Sequence, residues 1–113
     1  MVNQKKLDEV LTLCGLRDNL SGTEMVRIAV KHYRPCMSMT KELYPEIAQA
    51  VNSTPCRVER SIRHAIESGF DRCGWDRDVQ TMFGNTIDPN KGRPCNSEFI
   101  ARLARICRDG LEV

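Results

Sequence analysis

The sequence has few aromatic residues and no long hydrophobic run. Phe, Trp and Tyr make up 5% of its 113 residues, so the core must consist of Leu, Ile, Val, Ala and Met, which favours helices over sheets. No apolar run approaches the roughly 18 residues that a membrane span requires. The N-terminus also lacks the apolar segment of a signal peptide. We therefore expect residues 1–113 to form one cytoplasmic domain without membrane contact.

Closely spaced cysteine pairs are also missing. Metal sites use such pairs because two ligands must reach one ion, and both histidines are far from any pair, so we expect no metal and no cofactor. An even number of cysteines permits disulfides in an oxidising compartment, but reduced thiols are expected in a cytoplasmic protein. The cysteines are Cys14, Cys36, Cys56, Cys73, Cys95 and Cys107.

What the sequence does contain is helical periodicity. Apolar residues recur at i, i+3, i+4 and i+7 in six segments, and no stretch alternates with the period of two that a β-strand needs. The predicted fold class is therefore all-α, a six-helix domain. The predicted helices run over about Gln4–Cys14, from Ser21 to before Pro35, and over Thr40–Val51, Pro55–Gly69, Asp76–Phe83 and Asn96–Arg108. Polar residues at three of the starts, Thr40, Thr54 and Asn96, are predicted N-caps.

The third and fourth helices are separated by a short turn, Asn52–Pro55, and this arrangement predicts a helix-turn-helix over about residues 40–69. The third helix offers apolar and small side chains for the contact between the two, and the fourth offers an apolar arc about 100° wide at the helical period. The residues of this contact are Ile47, Ala48, Val51, Val58, Ile62, Ala65 and Ile66.

The opposite face of the fourth helix carries hydrogen-bonding groups. Arg57, Arg60 and His64 lie within about 60° of one another on a helical wheel, with Glu59 and Arg63 beside them. A recognition helix needs one apolar and one polar face. The guanidinium fork of Arg57 or Arg60 matches the O6 and N7 acceptors of guanine, and Glu59 can accept from the N4 amine of cytosine. Arg63 and His64, farther along, suit phosphates.

Basic charge also accumulates in the last quarter of the chain. Residues 91–108 contain five lysines and arginines against the single acid Glu98, which is typical of a nucleic-acid footprint. Charge alone does not separate such a footprint from a solvated face. Spacing alone likewise leaves open a plain surface helix with an i,i+4 pair between Glu59 and Arg63.

Three segments resemble one known family. Thr40–Ala48 (TKELYPEIA), Arg57–Glu67 (RVERSIRHAIE) and Asn96–Ala101 (NSEFIA) closely resemble the C-terminal effector domains of stage-zero sporulation protein A, the sporulation response regulator of endospore-forming Firmicutes. The resemblance covers essentially the whole chain. It implies a six-helix domain that binds a short G/C-containing box in double-stranded DNA, binds as a homodimer on DNA and contacts RNA polymerase.

The resemblance also implies roles for individual residues. Arg57, Glu59 and Arg60 would read bases. The predicted contacts with the DNA backbone are Thr54, Arg63, His64, Lys91, Arg93 and Ser97. The last helix would supply a dimer contact, for which the candidates are Phe99, Arg102, Leu103 and Ile106.

The chain departs from the family pattern in two respects. It has no room for the phosphorylated receiver domain, so either control is exerted in another way or the chain is a piece of a longer protein. Pro55-Cys56 and Ser68–Phe70 also differ from the family at the two ends of the predicted recognition helix, which affects phosphate contacts and sequence preference.

Two other functions compete with a DNA-binding regulator. The first is a protein-interaction module that antagonises or heterodimerises with a full-length relative without binding DNA. The second is an enzyme built on Asp71, Asp76 and Asp78 around Trp75. No catalytic spacing is present, so the sequence predicts a protein that is not an enzyme.

Overall fold

The computed structural model describes residues 3–16, 21–73, 77–84 and 93–108. Within these ranges the chain forms six α-helices and one short π-helix, with no strand, which confirms the all-α prediction. The elements in chain order are α1 (Gln4–Leu13), α2 (Ser21–His32), the π-helix (Met39–Leu43), α3 (Tyr44–Val51), α4 (Pro55–Cys73), α5 (Arg77–Phe83) and α6 (Asn96–Arg108). None of these helices is both long and apolar enough to cross a membrane.

The longest helix, α4, lies against α2, α3 and α6. Its predicted apolar residues, Val58, Ile62, Ala65 and Ile66, are each 2% exposed or less. Burying one large aliphatic side chain of this kind contributes about 1.5–3 kcal/mol. The core continues to the stacked rings of Phe83 and Phe99, whose centroids are 5.1 Å apart. One face of α4 is therefore fixed by the core, and the other is left for solvent or a partner.

Two glycines allow α4 to approach its neighbours closely. A Cβ atom at Gly22 in α2 would collide with the backbone oxygen of Ser61 and come within 2.8 Å of the Ala65 Cβ. A Cβ atom at Gly69 would collide with the backbone oxygen of Cys14 at the end of α1. The prediction that α4 ends at about Gly69 was wrong. The helix continues to Cys73, and Gly69 is required by packing and not by a helix end.

The third helix also begins differently from the prediction. Ser38, and not Thr40, is the N-cap, because its side chain accepts from the backbone N–H of Lys41. The π-helix that follows leads directly into α3, which has Pro45 in its first turn, where the missing backbone N–H costs little. The helix ends at Val51, and its C-cap Asn52 adopts the left-handed conformation with φ 56°, as asparagine tolerates.

Five cysteines, Cys14, Cys36, Cys56, Cys95 and Cys107, are free thiols. Cys14 and Cys107 are buried in the core, as expected for cysteines on apolar stripes. Burial raises the pKa of the Cys107 thiol to about 11. Because the thiolate is the reactive form, Cys107 is chemically inert at neutral pH.

Candidate nucleic-acid interface

The turn before α4 orients the N-terminal end of this helix. The backbone N–H of Arg57 donates to the side-chain oxygen of Thr54 over 3.3 Å, which confirms Thr54 as the N-cap. Thr54 is exposed, and its hydroxyl proton stays available for a further acceptor, because the cap uses only the oxygen. The first turn of α4 thus presents a polar side chain and a helix N-terminus at the same surface.

Two arginines on the exposed face of α4 have no partner in the described part of the chain. Arg57 and Arg60 are exposed, and their guanidinium groups form no hydrogen bond or ion pair with any residue that the structure describes. His64 lies one turn farther on, with its Nε2 3.4 Å from the Ser68 hydroxyl. The arginines are three residues apart, so both project from the same side of the helix.

Glu59 and Arg63 form an ion pair on this helix. The Arg63 Nη1 lies 2.8 Å from the Glu59 Oε1, and the side chains are 53% and 35% exposed, respectively. The i,i+4 pair that the sequence permitted is therefore present. An exposed pair of this kind contributes only a few tenths of a kcal/mol, so it restrains the Glu59 carboxylate without locking it.

A cleft of about 340 Å³ lies beside the polar face of α4. It is bounded by α4, by the π-helix and by the residues that lead into α6. The charged side chains on its walls are Glu59, Arg63, Glu67 and Arg93. Arg93 pairs with Glu67 over 2.8 Å, and its guanidinium carbon lies 5.6 Å from the centre of the Phe70 ring. Arg93 is thus engaged by α4 and only 20% exposed.

Two other residues near this end of the chain, Ser97 and Lys91, are predicted to contact the DNA backbone. Ser97 borders the same cleft, and its hydroxyl lies 3.3 Å from the Cys95 sulfur. Lys91 lies outside the described residues, as do Trp75 and Asp76 of the acidic group considered for an enzyme.

Three of the four residues predicted to form a dimer contact on the last helix are buried within the chain. Phe99 and Leu103 have no exposed surface, and Ile106 is 3% exposed. These side chains fill the core of the monomer, because the apolar stripe of α6 is the face that packs against α1, α2 and α4. Arg102, the fourth candidate, is turned toward α5, where its Nε donates to the Met82 carbonyl over 2.6 Å.

The predicted basic footprint in residues 91–108 is also largely used inside the molecule. Arg108 donates to the Tyr33 carbonyl and, over 3.4 Å, to the Val30 carbonyl at the end of α2. Together with Arg102 and Arg93, it therefore serves the fold. Carbonyls at a helix C-terminus have no partner within the helix and attract cations. Among the described arginines of α6, Arg105 alone is exposed with no partner.

One residue near the interface was assigned the wrong role from the sequence. Asn96 was predicted to cap α6, but it is the first residue of that helix and its side chain is buried at 9% exposure. Its amide nitrogen donates to the Tyr44 hydroxyl over 3.2 Å and to the Glu59 backbone oxygen over 3.1 Å. No periodicity in the sequence could have indicated these contacts, because they join residues 52 and 37 positions apart.

The comparison with protein families agrees with this arrangement. The family model described as Sporulation initiation factor Spo0A C terminal matches residues 7–106, a range that includes α4, the cleft and most of α6. Domains of this family bind DNA as regulators of transcription. The chain therefore belongs to the family of Spo0A C-terminal domains, the DNA-binding effector domains of sporulation response regulators.

Proposed function

We propose that the chain is a sequence-specific transcriptional regulator that inserts the N-terminal half of α4 into the major groove of double-stranded DNA. The observation that carries this proposal is the pair of exposed guanidinium groups on Arg57 and Arg60, which have no partner in the described part of the chain. The opposite face of the same helix is fully buried. A recognition helix requires a rigid inner face and a free hydrogen-bonding outer face.

In this proposal Arg57 and Arg60 each donate to a guanine, and a good pair gives about 1–3 kcal/mol of discrimination against a wrong base. Glu59 accepts from a cytosine amine. Its carboxylate would keep Arg63 as a neighbour, since two carboxylate oxygens offer more than one acceptor site. Arg63 would then bridge Glu59 and a phosphate.

The remaining predicted contacts would position the protein on the DNA backbone. Thr54 and His64 lie exposed along α4, and Ser97 lies at the rim of the cleft. Lys91 keeps its predicted role. Arg93 would have to exchange its pair with Glu67 for a phosphate, or share it. Such contacts fix orientation without reading sequence.

Binding as a homodimer and contact with RNA polymerase are further parts of the proposal. With Phe99, Leu103 and Ile106 in the core, a dimer on DNA would have to use exposed residues elsewhere.

The test is selection of duplexes from a random library, followed by fluorescence anisotropy on the selected site and a scrambled duplex at two salt concentrations. The proposal expects tight binding to the selected site that weakens as salt rises, and loss of discrimination in Arg60→Ala. Arg105→Ala is the matched control, because it removes one exposed arginine outside α4. Weak and equal binding to both duplexes would contradict the proposal and favour an antagonist that binds a relative.

A further inference from the structure

Asn96 joins three elements of the domain through one buried amide group. The two N–H bonds of its side chain point to the Tyr44 hydroxyl, at the start of α3, and to the Glu59 carbonyl, in the second turn of α4. Asn96 itself begins α6. Among the residues that the structure describes, the bond from Asn96 to the Glu59 carbonyl is the one hydrogen bond that another element makes to the backbone of residues 57–60.

This bond lies in the part of α4 that carries the proposed base readers. The Glu59 carbonyl is held by Asn96, and the Glu59 carboxylate is held by Arg63. The backbone carbonyl and the side-chain carboxylate of Glu59 are therefore both restrained before DNA binds. Orienting a recognition group in advance lowers the entropy that binding would otherwise cost.

Burial increases the cost of losing the hydrogen bonds that the Asn96 amide donates. Asn96 is 9% and Tyr44 is 7% exposed at the wall of the cleft, so few water molecules compete for the bond. A buried polar group left without its partner is costly. Removing the amide takes a donor from the Tyr44 hydroxyl and from the Glu59 carbonyl, and a small shift of the backbone at Glu59 would reduce this cost. Such a shift would rotate residues 57–60 slightly about the buried Val58, which stays in the core, and would change the direction in which their exposed side chains point.

We infer that Asn96 is a positioning residue for base recognition, which sets the orientation of Glu59 and Arg60 through the Glu59 carbonyl and does not itself touch DNA. The inference rests on the proposed function of α4. It assigns to the start of α6 a role in sequence specificity that neither charge nor exposure would indicate.

The experiment compares Asn96→Ala and Asn96→Asp with the wild-type chain. Alanine removes the amide, and aspartate keeps the size of the side chain but lacks both N–H donors at neutral pH. Glu98→Ala is the matched control, because Glu98 is an exposed residue in the first turn of the same helix. Each protein is titrated against the selected site and against duplexes that change it one base pair at a time, with concentrations corrected for the folded fraction.

The expected result is a loss of discrimination of about tenfold at the base pairs read by Glu59 and Arg60, the size of one good side-chain–base contact. The dependence of affinity on salt should stay as in the wild type, because no phosphate contact is removed. Glu98→Ala should leave the pattern of discrimination unchanged. A merely structural Asn96 would instead lower thermal stability and leave single-base discrimination intact, which would overturn the inference.

A second readout follows the hydrogen bond between the Asn96 amide and the Tyr44 hydroxyl. Burial raises the pKa of the Tyr44 phenol, and the Asn96 amide opposes this rise by donating to the phenol oxygen. Removing the amide should therefore raise the pKa of Tyr44 further, as measured by ultraviolet titration with Tyr44→Phe to identify the signal. The bond to Tyr44 and the bond to the Glu59 carbonyl come from the same amide nitrogen. An unchanged titration would therefore show that the amide does not lie between Tyr44 and Glu59 in solution and would overturn the inference.

The outcomes separate the inference from the proposed function. A wild-type chain that selects no site refutes both. A wild-type chain that discriminates between bases, together with Asn96 variants that discriminate equally well, refutes only the role of Asn96.

Discussion

The arginines of α4 and those of α6 look alike in the sequence but have opposite roles in the structure. Arg57 and Arg60 are exposed near the start of α4 and have no partner among the residues that the structure describes. Arg102 and Arg108 reach from α6 to backbone carbonyls at or near the ends of α5 and α2. A guanidinium group that satisfies a helix end is not available to a phosphate.

The difference shows that a count of basic residues does not locate a nucleic-acid surface. Residues 91–108 contain five lysines and arginines and residues 57–64 contain three, yet the described arginines of the later segment mostly hold helices together. The five-donor fork of arginine suits carbonyls and carboxylates as well as it suits guanine. Which of these it meets depends on the element packed beside it.

The strongest test of this comparison is Arg60→Ala. We expect it to reduce the preference for one guanine by about ten- to a hundredfold, corresponding to ~1–3 kcal/mol, and to change the free energy of unfolding by less than about 0.5 kcal/mol. Anisotropy titrations against single-base variants and urea unfolding measure the two quantities. A large loss of stability would mean that Arg60 belongs with the structural arginines.

The converse test is Arg108→Ala. Because two carbonyls at the end of α2 lose a charged donor, we expect the free energy of unfolding to fall by about 2 kcal/mol. The DNA affinity of the folded fraction should remain unchanged. Arg105→Ala, in the same helix but exposed, is the control and should unfold like the wild type. Equal stability of the two variants would contradict the structural role of Arg108.

Arg93 shares features of the exposed arginines and of the structural arginines, because it is paired, but with Glu67 on α4. Glu67→Gln should cost less than about 1 kcal/mol of stability, as expected for a partly exposed ion pair. If Arg93 contacts a phosphate in the complex, Arg93→Ala should also reduce the salt dependence of DNA binding by about one counterion. The slope of log affinity against log salt measures this effect. An unchanged slope would assign Arg93 wholly to the fold.

The smallest expected effect extends the comparison to a carboxylate. Arg34 and then His32 donate to Glu46 on α3 and hold the pKa of its carboxyl below the ordinary value. A carboxyl with a lowered folded-state pKa stabilises the fold above its unfolded pKa, and this contribution disappears as the pH falls through the folded pKa. The thermal midpoint of Glu46→Gln should therefore approach that of the wild type in acid. A constant difference from neutral to acidic pH would contradict this role.

Periodicity predicted most of the fold. The apolar stripes of α1, α3, α4 and α6 led to the correct helices, and Thr54 and Asn52 marked the turn before α4 correctly. The errors fell at helix ends. Ser38, and not Thr40, is the N-cap of the third helix. The helix α4 continues past Gly69, whose missing side chain lets the backbone at the end of α1 lie against it.

The candidate site was predictable only in part. The exposure of Arg57 and Arg60 follows from their position opposite Val58 and Ile62 on a helix, and the pair between Glu59 and Arg63 follows from i,i+4 spacing. The role of Asn96 does not, since its acceptors lie far away in the chain. The apolar stripe of α6 was correct, but the residues predicted from it for a dimer contact lie in the core of the chain. An apolar stripe shows that one face of a helix is covered, and it does not show which element covers it.

The sequence by itself determined that this chain is helical, that it belongs to a DNA-binding family, and which face of α4 is polar. These properties depend on local spacing and on runs of residues such as Arg57–Glu67, which the chain carries without reference to its fold. Only the tertiary structure decided which arginines are free. That choice depends on which carbonyls and carboxylates lie within about 3 Å of each guanidinium, and packing between distant segments alone sets those distances.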